Sequence, residues 1–107
     1  MESPVVLVYC TCPDATVAES LGRTLVEERL AACVNVLPGM RSVYRWEGVV
    51  ETADEAVLIV KTAAEQVEVV ISRVRQLHSY TEPCILALPV VGGSQTYLTW
   101  LLANSRP

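Results

Sequence analysis

Cys10 and Cys12 stand one residue apart at the end of an apolar run, and the two-residue period of a strand turns both thiols to one face. Two sulfurs on one face form a pincer for a soft cation. Cu(I) takes two or three thiolates, whereas Zn(II) prefers a tetrahedron of sulfur and imidazole donors. Further candidates for such a set are His78, the only histidine, then Cys84, with Glu82 two residues before it. Ligation needs thiolates, which a bound cation or a helix N-terminus promotes. The plain alternatives are cysteines buried as small apolar residues and a protonated His78 capping a helix C-terminus. Cys33, inside the apolar stretch from Leu30 to Val36, reads as buried.

A second group could line a ligand cleft. Lys61, near a strand end and beside a helix N-terminus, could hold an anion together with free backbone N–H groups, or simply form a surface ion pair. Trp46 and Tyr80, with Tyr44, are aromatics near turns, a placement typical of interface anchors. Arg41 and Arg45 share a hairpin face and are expected to form ion pairs between subunits. No Ser/His/Asp order, glycine-rich phosphate loop or closely spaced acidic pair is present, so the expectation is a binding protein and not an enzyme.

The elements that must position these residues follow from periodicity. Pro4 to Thr11 reads as a strand, and Cys12-Pro13-Asp14-Ala15 breaks it. Thr16 with Glu19 forms a capping box, with Asp14 as the rival N-cap. Val17, Ala18, Leu21, Leu25 and Val26 then recur on one helical face, and Gly22 within that pattern marks a close packing contact. Cys33 to Val36 is a strand, Leu37 to Met40 a bend or bulge, and Ser42 to Trp46 a resumption. After the Glu47-Gly48 turn the partner arm returns as Val49-Val50 and Glu55 to Thr62. Thr62 with Glu65 makes a second capping box, opening a helix whose inner face is Val67, Val70, Ile71, Val74 and Leu77. His78 to Pro83 ends it, Cys84 to Val90 is the last strand, and Ser94 to Ala103 is a short helix after Gly92-Gly93.

This order predicts one α+β domain over residues 1–107, a ferredoxin-like split β-α-β sandwich (βαββαβ) with a long hairpin between the second and third strands and a short C-terminal helix. Its first and last strands are antiparallel neighbours, which brings Cys10 and Cys12 toward Cys84 and delivers the His78 to Glu82 turn to the same rim. One sheet face lacks helices and must be covered by the terminal helix or by other copies.

Composition narrows the function classes. A net charge of −4 and a pI near 4.9 argue against nucleic acid and against anionic membranes as partners. The N-terminal apolar run from Pro4 to Cys10 follows Glu2 with no basic residue, so neither a leader nor a transmembrane helix is expected and the default compartment is the cytosol, with reduced thiols. A hydrophobic share of 51% with mean hydropathy +0.36 exceeds what so small a monomer hides, which points to a homo-oligomer.

These residues resemble, along nearly the whole chain, the CutA divalent-cation tolerance family. The resemblance is carried by Cys10-Thr11-Cys12-Pro13-Asp14, by Leu25 to Pro38 with Glu28-Arg29-Leu30-Ala31-Ala32-Cys33-Val34-Asn35, and by the Tyr44-Arg45-Trp46-Glu47-Gly48 tip. Val60-Lys61-Thr62, His78-Ser79-Tyr80, Leu88-Pro89-Val90, Tyr97-Leu98 and Trp100-Leu101 continue it. The resemblance implies a ferredoxin-like homotrimer similar in build to PII-type signalling proteins, and a role in tolerance through binding copper or another divalent metal. It assigns the metal-associated cysteine and histidine to Cys10 and His78; Cys12, Cys84 and Glu82 are accessory candidates from their expected place at the same rim. The family's usual His-Pro-Tyr-Glu-Val-Pro-Glu turn is His78-Ser79-Tyr80-Thr81-Glu82-Pro83-Cys84 here, so Thr81 and Cys84 replace two carboxylates. Two other function classes stay open: a PII-like binder of a small anion or metabolite using Lys61, Tyr80 and Trp46, and a trimeric scaffold anchoring a protein partner.

Overall fold

The computed structural model describes residues 3–106, so Glu2 and the ends of the expected 1–107 domain lie outside the described residues. Four strands form one antiparallel sheet in the order β2-β3-β1-β4: β1 (Val5–Cys12), β2 (Cys33–Trp46), β3 (Val49–Ala63) and β4 (Ile85–Pro89). Helices α1 (Ala15–Glu27) and α2 (Val67–Leu77) pack on one face, and α3 (Gln95–Asn104) follows β4. The chain has the expected ferredoxin-like βαββαβ order and hairpin.

The core explains the layering. Val6, Val8, Cys10 and Cys12 of β1 alternate inward with Ala56, Leu58 and Val60 of β3, and meet Ala18, Leu21 and Leu25 of α1 and Val70 and Val74 of α2. Each fully buried Val or Leu is worth roughly 1.5–3 kcal/mol over an exposed one, which makes this face the main source of stability. Gly22 is buried where α1 crosses β2, and a Cβ there would stand 2.6 Å from Val34 Cγ2, so the expected close contact is present. On the opposite face α3 covers only one end of the sheet, Leu101 and Leu98 meeting Val5 and Ala32.

Two helix starts differ from expectation. Asp14, not Thr16, is the N-cap of α1, its side chain accepting from the Val17 N–H at 2.8 Å. β1 runs through Cys12, so the chain turns at once and Thr16 already lies in the first helical turn. Thr62 caps nothing, because β3 extends to Ala63 and buries it, with its hydroxyl donating to the Leu30 carbonyl at 2.7 Å. A 3-10 turn, Ala64–Gln66, leads into α2 without a side-chain cap.

The β2–β3 ribbon carries a register shift between Leu37 and Met40, where Gly39 adopts φ +75°. One extra residue on β2 reverses which alternate side chains face which way. Before the bulge Val34 and Val36 face the helices; beyond it Met40 pairs with Glu55, and Ser42, Tyr44 and Trp46 take the bare face. Glu47 and Gly48 close the tip with φ of 49° and 82°, the left-handed pair of a tight two-residue turn. Within one chain, Arg41 donates to Asp54 at 2.8 Å and Arg45 to the Gly48 carbonyl at 3.4 Å. The projecting ribbon raises the radius of gyration to 14.3 Å, against about 13 Å for a compact chain of this length.

Candidate functional site at the rim of the bare sheet face

β1 and β4 pair with Cys10 opposite Ile85, so the end of β1 does lie beside the start of β4 and the turn that precedes it. Cys10 and Cys12 share a face as period-two alternation requires, but that face is the helix-covered one, and both are 0% exposed. Burial, then the neighbouring Cys12 and Cys84 sulfurs, push the Cys10 thiol up to about 12. Burial, then Glu55 and Asp14, push Cys12 up to about 11. Cys84 is half-buried and its pKa is also raised, first by burial and then by Glu55. All four cysteines are free thiols; Cys33, expected in the core, is half-buried on the other face with Sγ 3.4 Å from the Tyr97 hydroxyl.

His78 is the C-cap residue of α2, its N–H donating to the Val74 carbonyl. Its ring is 8% exposed, with Nε2 2.7 Å from the Thr11 carbonyl and Nδ1 accepting from the Tyr80 N–H at 3.0 Å. Since Nδ1 accepts and a carbonyl can only accept, the ring is the neutral Nε2–H tautomer in this geometry. The C-cap position is as expected, and through these two bonds the ring stitches the 78–84 turn onto β1. Among the described residues no group of three or more His, Cys, Asp or Glu side chains is arranged to hold a metal ion.

In front of this rim, on the bare face, lies a cleft of about 860 Å³. Tyr9 and Thr11 form its floor, Ser42, Tyr44 and Trp46 one wall, and residues 79–84 the other, with Glu55 between them. Tyr80 donates to Glu55 Oε2 at 2.9 Å, and burial and that carboxylate push its hydroxyl up to about 12. Glu82 lies 3.6 Å from Arg75 Nη1. Of the expected cleft residues, Trp46 and Tyr80 line it, as do Cys84 and Glu82, whereas Lys61 does not. Lys61 sits further along β3, its ammonium 3.4 Å from the Tyr97 hydroxyl and 5.6 Å from the centre of that ring. Glu55, Tyr9 and Ser42 were not singled out from sequence. Glu55 had a signal: it shares strand parity with Val57 and Ile59, so its carboxylate belongs to the bare face.

The family resemblance can be tested over the whole chain. The model of the CutA1 divalent ion tolerance protein family matches residues 6–104. The divalent-cation tolerance protein CutA of Thermus thermophilus is 46% identical over 99 residues, covering 92% of this chain and 96% of that protein. The chloroplastic protein CutA of Arabidopsis thaliana is 43% identical over 103 residues, covering 96% of this chain but 57% of that longer protein. The crystal structure of CutA from Xylella fastidiosa superposes with a TM-score of 0.89 at 48% identity, covering 92% of this chain and 95% of that one. With sequence, topology and hairpin in agreement from end to end, the chain belongs to the CutA1 divalent ion tolerance protein family.

Proposed function

We propose that the protein serves divalent-cation tolerance as a cytosolic homotrimer that binds copper or another divalent or soft cation at the β1–β4 rim, by binding and not by catalysis. The single observation behind this reading is the gathering of Cys10, Cys12, Cys84 and His78 around one end of β1. Their present arrangement does not fit a preformed centre. A thiol at about 12 is protonated at neutral pH, and both His78 nitrogens are engaged by backbone. Cys84 and Glu82 are the donors that solvent reaches, whereas Cys10 and Cys12 are buried beneath the helices and His78 is held by backbone partners. Four free thiols suit a reducing compartment.

Assembly is supported by surface left uncovered. Val43, Val49 and Val50 on the hairpin and Leu86 and Leu88 on β4 are exposed, and β4 pairs only with β1. The chain's 6509 Å² of accessible surface exceeds the roughly 5,900 Å² of a monomer this size. Equilibrium dialysis of reduced protein with Cu(I) and with Zn(II), on wild type, Cys10→Ser, Cys84→Ser and His78→Ala, tests the cation reading. Loss of affinity in these variants is expected; equal stoichiometry and affinity in all four proteins rejects the ligands. Native mass spectrometry on the same samples should give three subunits, and a monomer at micromolar concentration rejects the assembly.

A further inference from the structure

We propose that Arg29, at the end of α1, is the catch that holds α3 in place, a side chain from one helix end serving as the C-terminal cap of another. The assignment rests on bonds within one chain and is independent of the metal reading. The backbone comes first. α1 closes in a complete Schellman turn, the Arg29 N–H donating to the Val26 carbonyl at 3.0 Å and the Leu30 N–H to the Leu25 carbonyl at 2.9 Å. Such a turn needs a left-handed residue, and glycine is the one that takes this conformation without steric cost. An arginine stands there instead, at φ 61°. Glu47 is the other non-glycine residue with positive φ among the described residues, and the hairpin tip accounts for it.

The side chain accounts for Arg29. Its Nε donates to the Arg106 carbonyl at 2.8 Å and its Nη2 to the Ala103 carbonyl at 3.1 Å. α3 has no basic residue in its own last turn. The last carbonyls of a helix lack partners inside it and carry the negative end of its dipole, and a guanidinium fork answers both needs. Two further bonds close the same end. Ser105 Oγ, fully buried, accepts from the Ala63 N–H of β3 at 3.0 Å, and Arg106 pairs with Glu65 of the 3-10 turn. The start of α3 has nothing comparable: no side chain caps it, and Gly92 and Gly93 precede it. The helix is therefore fixed from its C-terminal end. That placement lays Leu101 and Leu98 on Val5 and Ala32, and Tyr97 against Lys61 and Cys33. The catch thus sets how much of the helix-free face α3 occupies and how much is left to neighbouring copies.

Amide hydrogen exchange on the full-length, assembled protein tests this, with Ala63 as the reporter because its N–H donates to Ser105 Oγ. Arg29→Gly removes the catch and relieves the left-handed backbone, so two effects of opposite sign are expected. Protection at Ala63 and through the last turn of α3 should fall by about fivefold, while protection at Leu30 should rise by about threefold. Arg29→Lys keeps the charge without the fork and should lie between wild type and Arg29→Gly at Ala63. Glu65→Gln, at an exposed ion pair, should change Ala63 by less than about twofold. Ala63 protection within about twofold of wild type in Arg29→Gly overturns the proposal. Equal loss of protection throughout the chain does so too, since that is lost global stability and not a released helix. Glu65→Gln matching Arg29→Gly at Ala63 would give the hold to the ion pair and also overturns it.

Discussion

Replacing His78 with Ala separates a structural clamp from a residue kept only for a ligand. The substitution deletes the Nε2–H bond to the Thr11 carbonyl and the acceptor for the Tyr80 N–H, and opens a space where a ring only 8% exposed had packed. Each lost hydrogen bond costs about 1 kcal/mol net, and leaving a carbonyl and an N–H unpaired at a part-buried site raises the sum to roughly 2–4 kcal/mol. Urea unfolding of chelator-treated protein at fixed concentration should show that loss. The local signature is sharper: hydrogen exchange at the Tyr80 amide should accelerate by at least about tenfold while the amides of β1 and β3 slow or accelerate only with global stability. His78→Ala within about 0.5 kcal/mol of wild type, a typical surface-substitution effect, with unchanged Tyr80 exchange, refutes the clamp.

Three further outcomes follow from the packing. Gly22→Ala gains about 1 kcal/mol of helix propensity, but the new methyl lies 2.6 Å from Val34 Cγ2 and 3.1 Å from Leu58 Cδ1. Overpacking against a stiff β-branched neighbour costs roughly 1–3 kcal/mol, so urea unfolding should show net destabilisation, and a stabilised variant contradicts the contact. Asp14→Ala should cost about 1 kcal/mol as a lost N-cap, whereas Thr16→Ala should be within the noise of the same measurement. The Cys10 thiol, raised from 9.0 to about 12, gives stability that is complete below pH 9 and is lost as pH rises toward 12. At about 1.4 kcal/mol per pH unit that loss approaches 4 kcal/mol. Cys10→Ala should flatten the decline measured by urea unfolding above pH 9, and identical slopes reject the buried-thiol account.

Much of the fold was legible because alternation, helical spacing and turn residues agreed on element order, and the hairpin's Glu47-Gly48 turn and its irregularity near Pro38-Gly39 were both signalled. The helix starts were harder. Thr16 and Thr62 each stand three residues before a glutamate, but a capping signature cannot tell a terminus from the last residues of a strand that runs on, as β1 and β3 do. The site was legible as a neighbourhood and not as an arrangement. Alternation puts Cys10 and Cys12 together without saying which side the helices cover. Backbone competition for His78 was equally invisible, since the Thr11 carbonyl lies 67 positions away in the chain. Lys61 looked like a cleft residue from its place near a strand end, but α3 returns to give it Tyr97 instead.

The bulge at Gly39 makes the hairpin behave like a two-position dial. Deleting that single residue would restore unbroken pairing and turn the whole distal ribbon over, sending Tyr44 and Trp46 to the side that Val43 and Arg45 now occupy. Aromatic content and charge would be unchanged, yet the aromatic wall would be gone. Frame along a ribbon is thus a heritable variable here in its own right, and a lineage could acquire or abandon this recess by gaining or losing one codon.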